Sequence, residues 1–447
     1  MNVTRRDAVR LAAFSALFAG TVGTAAACSS SSTAATSNST SGPITLNLWT
    51  WTGAPGTTQV NALIKGYQEL HPNITVHNNE IASDDFKVKA ALALNSGTEI
   101  DVLAVQPNLF ASQVQPHLLP LSAWQNDLPA GTLDKFTALS LAQMKKLFTG
   151  GELYALPWGG SGSAVGFYNA TLLQELGVSA PTTWGEMATL AATLKAQKPG
   201  VSVAVMPAGS TDGWFLDEFV LTLVGQSDPN FFDNVRYSNG QWNTPSYVAA
   251  LTELKQLYAT GALDSNVLDL GYTDAEKLFY SGKAAILFNG SWESTDLSAT
   301  YRSANGIDIG DVGVMGVPTS DGSAPSLRSF LDVTLGIPKS ASHPAAAADF
   351  IAYATAGDGV NLWADTLGEL PLINGWTPPP GALTSTAAHQ GVALLQQLLA
   401  HPHSDRNNLS AFSSQVGVRI EAMLEGSTTP AQAASLMQSD LDSGKYS

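Results

Sequence analysis

The sequence predicts an α/β protein with two lobes, and three observations support that fold class. The chain has 447 residues, of which 44% are apolar, and this is enough for two hydrophobic cores. Residues 44–105 alternate between strand-like and helix-like segments, a pattern typical of a mainly parallel sheet flanked by helices. A proline and glycine break at residues 157–162 lies between two further strands, and it fits either a crossing between lobes or a surface loop.

The region from residue 44 to residue 105 supplies that pattern. Apolar side chains alternate in its predicted strands and recur every three or four residues in its predicted helices. In order, the predicted elements are a strand at 44–51, a helix with Val60, Leu63, Ile64 and Tyr67 on one face, a strand at 74–76, a helix at 86–95 with Val88, Ala91, Leu92 and Leu94 as its apolar residues, and a strand at 100–105.

The ends of these strands are candidates for a ligand site, because ligands of open parallel sheets bind beyond the carboxyl ends of the strands. Trp51 and Thr52 stand at the end of the first strand, Glu80 comes after the second and Asn108 after the third. We therefore expect these four side chains to contact a ligand. Core packing explains Trp51 equally well.

The segment after residue 150 carries a recognisable set of motifs. The pattern G-K-x-Y-x-L-P, Y-N and P-x-T-W-x-E appears at residues 151–157, 168–169 and 181–186, with Glu152 where Lys is usual. A second signature, F-x-x-G-x-x-A-x-x-x-x-G-x-W, runs from Phe279. In order and spacing these motifs resemble the extracellular solute-binding proteins of ABC transporters, the maltose-binding-protein-like sugar-binding group. The resemblance covers about residues 44–440.

The resemblance implies a two-lobed periplasmic-binding-protein-like fold of type II, in which each lobe is a mainly parallel sheet flanked by helices and a hinge joins the lobes. Residues 43–157 with the return segment 318–365 correspond to the N-terminal lobe. Residues 158–317 with the segment 366–447 correspond to the C-terminal lobe. Residues 311–318 match the strand that returns to the first lobe.

The resemblance also implies ligand-binding positions. In sugar-binding relatives the tryptophan that matches Trp292 stacks on the ligand ring, and Asn289 lies in the same signature. Asp332 stands where relatives commonly have Gly-Gly, so its carboxylate either reads a sugar hydroxyl or caps a turn. Phe412 falls in the late helix whose start faces the cleft in relatives.

Tryptophans support a carbohydrate ligand because flat aromatic rings cover the apolar faces of sugars, while polar side chains bind the hydroxyl groups. Trp158 and Trp214, like Trp51 and Trp292, fall at predicted strand ends or loop edges. A single tryptophan is more often structural, and it is the shared position of the four that favours a ligand site.

The N-terminus predicts export and anchoring. Residues 1–27 combine Arg5-Arg6 with an uncharged apolar run, which resembles a twin-arginine signal peptide, although adjacent arginines also occur in ordinary secretory signals. Three alanines before Cys28 resemble a lipobox, with Ala25 in place of the usual Leu; a plain signal-peptidase site is the alternative. Residues 28–42 have the composition of a flexible tether. We therefore predict an extracytoplasmic protein on the outer face of the cell membrane, anchored by lipidated Cys28.

Charge and composition limit the function. The net charge of −16 disfavours binding to nucleic acid and to anionic lipid, and a single cysteine excludes an internal disulfide and a cysteine-based metal site. We expect a monomeric, cofactor-free binding protein that delivers a small-molecule carbohydrate to ABC permease subunits. A binding protein for a charged solute such as a polyamine, and a glycoside hydrolase with paired carboxylates such as Asp217-Glu218, are the alternatives.

Overall fold

The computed structural model describes residues 42–52, 56–209, 212–325, 327–400, 407 and 409–445. The predicted signal peptide and Cys28, and all of the tether but its last residue, lie outside the described residues. Pro43–Ser447 forms one compact unit. No helix in the described part of the chain is long and apolar enough to cross a membrane.

Two sheets and the helices around them make up this unit. The strands are β1 (Ile44–Trp51), β2 (Ile74–Ile81), β3 (Val102–Val105), β4 (Ala155–Ser163), β5 (Val165–Asn169), β6 (Ser202–Val205), β7 (Ala284–Asn289), β8 (Val312–Gly316) and β9 (Arg328–Gly336). The α-helices are α1 (Thr57–Leu70), α2 (Ser83–Ser96), α3 (Pro107–Val114), α4 (Ala138–Leu147), α5 (Ala170–Leu176), α6 (Trp184–Gln197), α7 (Gly213–Ser227), α8 (Phe231–Tyr237), α9 (Pro245–Thr260), α10 (Tyr272–Tyr280), α11 (Ala299–Ala304), α12 (Pro344–Ala356), α13 (Val360–Trp363), α14 (Thr386–Leu399), α15 (Ser410–Leu424) and α16 (Pro430–Asp442).

The first sheet has the strand order β2-β1-β3-β9-β4. The order β1-α1-β2-α2-β3 confirms the strand and helix pattern predicted for this region, and α1 buries the four apolar residues predicted for its inner face. Of the four apolar residues named for α2, Leu94 is buried together with Phe86 and Ala90, whereas Val88 and Leu92 are 63% and 65% exposed.

The second sheet has the order β6-β7-β5-β8. Both sheets are mixed rather than mainly parallel: β1 pairs in parallel with β2 and β3, and β6 with β7, whereas β4, β5, β8 and β9 form antiparallel pairs. The antiparallel strands are those that carry the chain between the sheets. Neighbouring strands become parallel when a helix crosses over between them. A strand that enters from the other sheet has no such crossover, so it can pair antiparallel with its neighbour.

The chain passes between the sheets at defined residues. β4 belongs to the first sheet up to Ser163, and β5 begins in the second sheet at Val165. Ala164, between them, has a φ of +60°, which is unusual for a residue with a Cβ. The strand predicted at 311–318 as the return to the first lobe is β8, which pairs with β5 in the second sheet, and β9 makes the return.

Side-chain and glycine caps define the helices that follow β5. The Asn169 side chain accepts a hydrogen bond at the start of α5, and Gly177 ends that helix in the left-handed conformation. The Thr183 and Glu186 side chains form the reciprocal capping box of α6. Each of these caps is formed by residues within four positions of one another along the chain.

Candidate functional site

Two indole rings lie together at the edge of the second sheet. Trp214 is the second residue of α7, and Trp292 follows β7; both are partly exposed. Their ring centroids are 6.1 Å apart, and the ring planes are tilted by 44°. The structure thus brings two of the predicted site residues together, and it gives them a shared aromatic surface of the kind that covers an apolar ligand face.

The start of α7 is fixed by a close helix crossing. Gly213 of α7 meets Gly417 of α15, and a Cβ added at Gly417 would lie 2.3 Å from the Gly213 carbonyl oxygen. Side chains at this crossing would push the two helices apart. The Tyr272 backbone N–H also donates to Asp212 Oδ2 over 3.0 Å, and this bond ties the segment before Trp214 to the start of α10.

Trp292 is held by the residues around the end of β7. A Cβ added at Gly290 would lie 2.2 Å from ring atoms of Trp292, so the indole folds back over a position that only glycine can occupy. The backbone of Gly290 has φ −91° and ψ 167°, which other residues adopt freely. Glycine is therefore needed here for space and not for backbone conformation.

A chain of hydrogen bonds continues from the indole. Trp292 Nε1 donates to the Tyr272 hydroxyl, and that hydroxyl donates to Glu293 Oε1. Asn289 Nδ2 donates to the same carboxylate oxygen over 3.0 Å, and the Tyr280 hydroxyl donates to Glu293 Oε2 over 3.1 Å. The predicted site residue Asn289 is fully buried, so it supports Glu293 from beneath.

Three carboxyl groups meet at this point. Burial, with the neighbouring Glu293 as a second cause, raises the pKa of Glu276 to about 8. Burial also raises the pKa of Glu293, against the lowering effect of its hydrogen bond from Tyr272, and it raises the pKa of Asp296 well above its usual range. At neutral pH Glu276 therefore retains a proton that an exposed carboxyl group would have lost. No group of three or more His, Cys, Asp or Glu side chains in the described part of the chain is arranged to hold a metal ion.

The first sheet contributes a second polar group. Gln106, which follows β3, donates through Nε2 to Asp332 Oδ1 over 2.8 Å. The Ser161 hydroxyl of β4 donates to Glu369 Oε2 over 2.9 Å. Burial and the neighbouring Asp332 raise the pKa of Glu369 well above its usual range. Asp332, a predicted site residue, therefore lies in a carboxyl pair and does not cap a turn.

The segments that carry the two polar groups contact each other. The Gly162 N–H of β4 donates to Ser291 Oγ over 2.9 Å, beside Trp292. The Ser294 hydroxyl donates to the Leu367 carbonyl oxygen over 2.6 Å. A Cβ added at Gly368, the residue before Glu369, would lie 3.9 Å from the Trp292 carbonyl oxygen. The Trp292 segment thus contacts elements of the first sheet directly.

Other predicted site residues lie in the core. Trp51 is buried against Phe86, with ring centroids 5.1 Å apart, as the core-packing alternative expected. Trp158 is fully buried beside Trp363, and its indole nitrogen is buried without a hydrogen-bond partner. Phe412 packs on Trp242 within the second core cluster, with centroids 4.9 Å apart.

The remaining predicted residues lie along the edge of the first sheet. Thr52 is exposed immediately after β1, and Glu80 accepts a hydrogen bond from the Thr57 hydroxyl over 2.6 Å. Asn108 is the second residue of α3, and its side chain lies outside the described part of the structure.

Sequence reasoning missed the partners of Trp292 and Asp332. Tyr272 and Glu276 lie on α10, whose sequence shows only an amphipathic helix, and Glu369 lies in a loop far along the chain. Glu293 could have been found, because it directly follows the G-x-W signature. Gln106 could also have been found, since it is the first polar residue after the buried strand β3.

The acidic pair Asp217-Glu218 is buried and bound by other side chains of the core. Both residues are buried in α7, where Asp217 accepts from Ser413 Oγ over 2.7 Å and Glu218 pairs with Arg328 over 3.1 Å. Burial and the adjacent Glu218 raise the pKa of Asp217 to about 7. The two carboxyl groups face buried partners on α15 and β9.

The architecture is that of an α/β protein built on two mixed sheets, between which the chain passes by way of β4–β5 and β8–β9. The chain belongs to the bacterial extracellular solute-binding protein family, whose sequence profile matches residues 53–359. It is 24% identical over 230 residues to the multiple sugar-binding protein of Streptococcus mutans serotype c, an alignment that covers 50% of this chain and 52% of that relative. It is 26% identical over 262 residues to the probable ABC transporter-binding protein of Deinococcus radiodurans, covering 55% and 59%.

The chain spans little more than half the length of these curated relatives. Among solved structures, the fold is similar to that of the GacH receptor of Streptomyces glaucescens, which was determined unliganded and with acarbose. The TM-score is 0.70 at 20% identity, and the match covers 90% of this chain and 98% of the receptor. The match confirms the predicted type II fold.

Proposed function

We propose that this protein is the substrate-binding component of an ABC importer, which captures a carbohydrate between its two halves and delivers it to the permease. The observation that carries the proposal is the partly exposed Trp214–Trp292 pair with the Asp332–Glu369 carboxyl pair close to it. Indole faces suit sugar rings, and carboxyl groups bind sugar hydroxyls. The sugar-binding relative and the acarbose-bound fold neighbour support the same class of ligand.

The site residues of this proposal are a subset of those predicted. Trp292, Trp214 and Asp332 are proposed to contact the carbohydrate, and Asn289 acts beneath Trp292. The lobes are proposed to divide at the change of sheet next to Ala164, where the chain adopts its unusual backbone conformation. In such a protein, the ligand bridges both halves and thereby favours the closed state.

A second candidate ligand is a cationic solute such as a polyamine. Five carboxyl groups, those of Glu276, Glu293, Asp296, Asp332 and Glu369, lie in the two polar groups of the site. Among the described residues, the Arg302 guanidinium lies beside one of these groups. It donates a hydrogen bond to the Asp296 backbone oxygen, and its charge lowers the pKa of the Asp296 carboxyl, against the larger effect of burial. Carboxyl groups beside indole rings also suit an ammonium group.

A fluorescence titration separates these ligands. The exported protein is titrated with neutral oligosaccharides, polyamines and amino acids while tryptophan emission is recorded, and the ligand is then recovered and analysed by chromatography. We expect saturable binding of a neutral oligosaccharide that is recovered unchanged, and loss of that binding in Trp292→Ala. Binding of polyamines alone would contradict the carbohydrate proposal, and cleaved ligand would contradict a role without catalysis.

We further propose that the protein is exported, with the twin-arginine motif in its signal, and held on the outer face of the membrane by a lipid on Cys28 as a monomer. The extracellular family supports export. Metabolic labelling with a radioactive fatty acid should mark the wild-type protein and leave Cys28→Ser unlabelled. Equal labelling of both would contradict the anchor.

A further inference from the structure

The indole of Trp292 is connected to a carboxylate through one intermediate hydroxyl. Its N–H donates to Tyr272, and Tyr272 donates to Glu293. We propose that Tyr272 and Glu293 are positioning residues, which hold the Trp292 ring in the orientation in which it meets the ligand. This inference rests on the proposed role of Trp292 as a ligand-binding surface.

The ring needs such a support because it is partly exposed and lies over a glycine. Gly290 limits the ring from below but does not fix its rotation. The N–H is the only hydrogen-bonding group of an indole ring, so a hydrogen bond to it fixes that rotation. A ring that is already oriented loses less conformational entropy when the ligand arrives, so binding is tighter.

Tyr272 is well placed to act on both indoles. It is the first residue of α10, and its backbone N–H is bound by Asp212, two residues before Trp214. Its hydroxyl contacts Trp292. The same residue therefore ties the segment that carries one ring to the side chain of the other.

Glu293 is positioned by several donors, and it cannot rotate without breaking them. Asn289, Tyr280 and Tyr272 all donate to its carboxylate. The Glu276 carboxyl also hydrogen-bonds to Glu293 and supplies a proton to the pair. The titratable and charged groups that face this carboxyl are Tyr272, Glu276 and Tyr280 of α10, Asp296 of the 3-10 helix Ser291–Leu297, and Tyr301 and Arg302 of α11.

A pH dependence follows from this arrangement. Below pH 8 the Glu276 carboxyl keeps its proton and donates to Glu293, because its pKa is about 8. Above that value Glu276 loses this proton, so the hydrogen bond to Glu293 is lost and a negative charge appears beside Glu293 inside a buried cluster. The support for Tyr272 then weakens, so affinity for a neutral ligand should be constant from pH 6 to 7.5 and fall above pH 8.

The test compares Tyr272→Phe with Tyr258→Phe as a matched control. Tyr258 lies on α9, and its hydroxyl donates to the Ser265 carbonyl oxygen, so the control also loses one tyrosine hydrogen bond. We expect Tyr272→Phe to weaken oligosaccharide binding about ten-fold, as loss of one buried hydrogen bond does. The control should stay within about two-fold.

A second readout needs no ligand. Protein labelled with 5-fluorotryptophan gives a ¹⁹F NMR resonance for Trp292, assigned by its absence in Trp292→Phe. We expect Tyr272→Phe and Glu293→Leu to shift or broaden that resonance, and Glu293→Gln, which keeps an acceptor, to restore it in part. An unchanged resonance in Tyr272→Phe would overturn the inference even if no carbohydrate bound, so its failure is distinguishable from failure of the proposed function.

The pH profile of the wild-type protein serves if a variant fails to fold. Titration with one neutral oligosaccharide from pH 6 to 9 should show the fall above pH 8, and Glu276→Gln, which donates at every pH, should remove it. A flat wild-type profile would overturn the role of the carboxyl pair. An equal fall in Glu276→Gln would do the same.

Discussion

At the scale of single residues, the orientation of Trp292 depends on the space above Gly290. The Trp292 ring occupies the volume where a Cβ would be, and Tyr272 and Glu293 fix its N–H. The proposed ligand surface therefore depends on the absence of a side chain at Gly290 as well as on Trp292 itself.

Gly290→Ala should weaken ligand binding at least about ten-fold while the free energy of unfolding changes by less than about 2 kcal/mol. The added methyl displaces the ring, but alanine tolerates the backbone angles of this position. Calorimetric titration and thermal unfolding measure the two effects. Gly185→Ala, whose Cβ would meet only Thr183 Oγ1 at 3.8 Å, is the control. Wild-type affinity in Gly290→Ala would contradict the packing described.

Phe412 provides the opposite case, because it is a predicted site residue that lies in the core against Trp242. Phe412→Ala should lower the free energy of unfolding by about 3–5 kcal/mol, since a large buried ring is lost and a cavity remains. Denaturant unfolding gives this value. If the variant keeps its stability but loses affinity, Phe412 belongs to the ligand site after all.

At the scale of elements, the crossing of α7 and α15 positions Trp214. Gly213 and Gly417 let the two backbones approach closely, and Trp214 is the next residue along α7. A change in this crossing should therefore reach both stability and the indole pair.

Gly417→Ala should destabilise the protein by about 2–4 kcal/mol, because the added methyl would lie 2.3 Å from a backbone oxygen in a buried crossing. The midpoint of thermal unfolding measures the effect. Val418→Ala, one residue further on α15 and 48% exposed, is the control and should change stability by less than about 1 kcal/mol. A stabilised Gly417→Ala, as a helix propensity argument alone would expect, contradicts the close crossing.

Helices α1 and α2 show which features of the fold could be predicted from the sequence. The α1 face was predictable because its apolar residues repeat at one spacing, whereas α2 carries apolar residues on both faces and only tertiary packing decides which face is buried. The G-S-W turn with Trp292 was predictable as a motif. Its partner Tyr272 was not, because 20 residues separate them and only the fold brings them together.

At the scale of the whole molecule, buried carboxyl groups make stability depend on pH. The pKa values of Asp217 and Glu276 are raised to about 7 and 8, and burial raises the pKa values of Glu369 and Asp296 well above their usual range. The folded protein thus holds protons that the unfolded chain releases above about pH 4.5.

The midpoint of thermal unfolding should therefore be higher at pH 5.5 than at pH 8, by at least about 3 °C. Stability from a raised pKa is fully present below the unfolded value and is lost as the pH rises through the folded value. The lowered pKa of Asp440 acts in the opposite sense, but only below about pH 4. Glu276→Gln should flatten the slope between pH 5.5 and pH 8. Greater stability at pH 8 than at pH 5.5 would contradict the buried, protonated cluster.

A crystal structure with the tightest-binding oligosaccharide from the titration would show whether a carbohydrate binds between the two halves and over the indole pair. We expect a sugar ring stacked on Trp292, at about 4 Å, with Asp332 or Glu369 bound to a hydroxyl. A ligand bound elsewhere, with both indoles free of it, would contradict the claim.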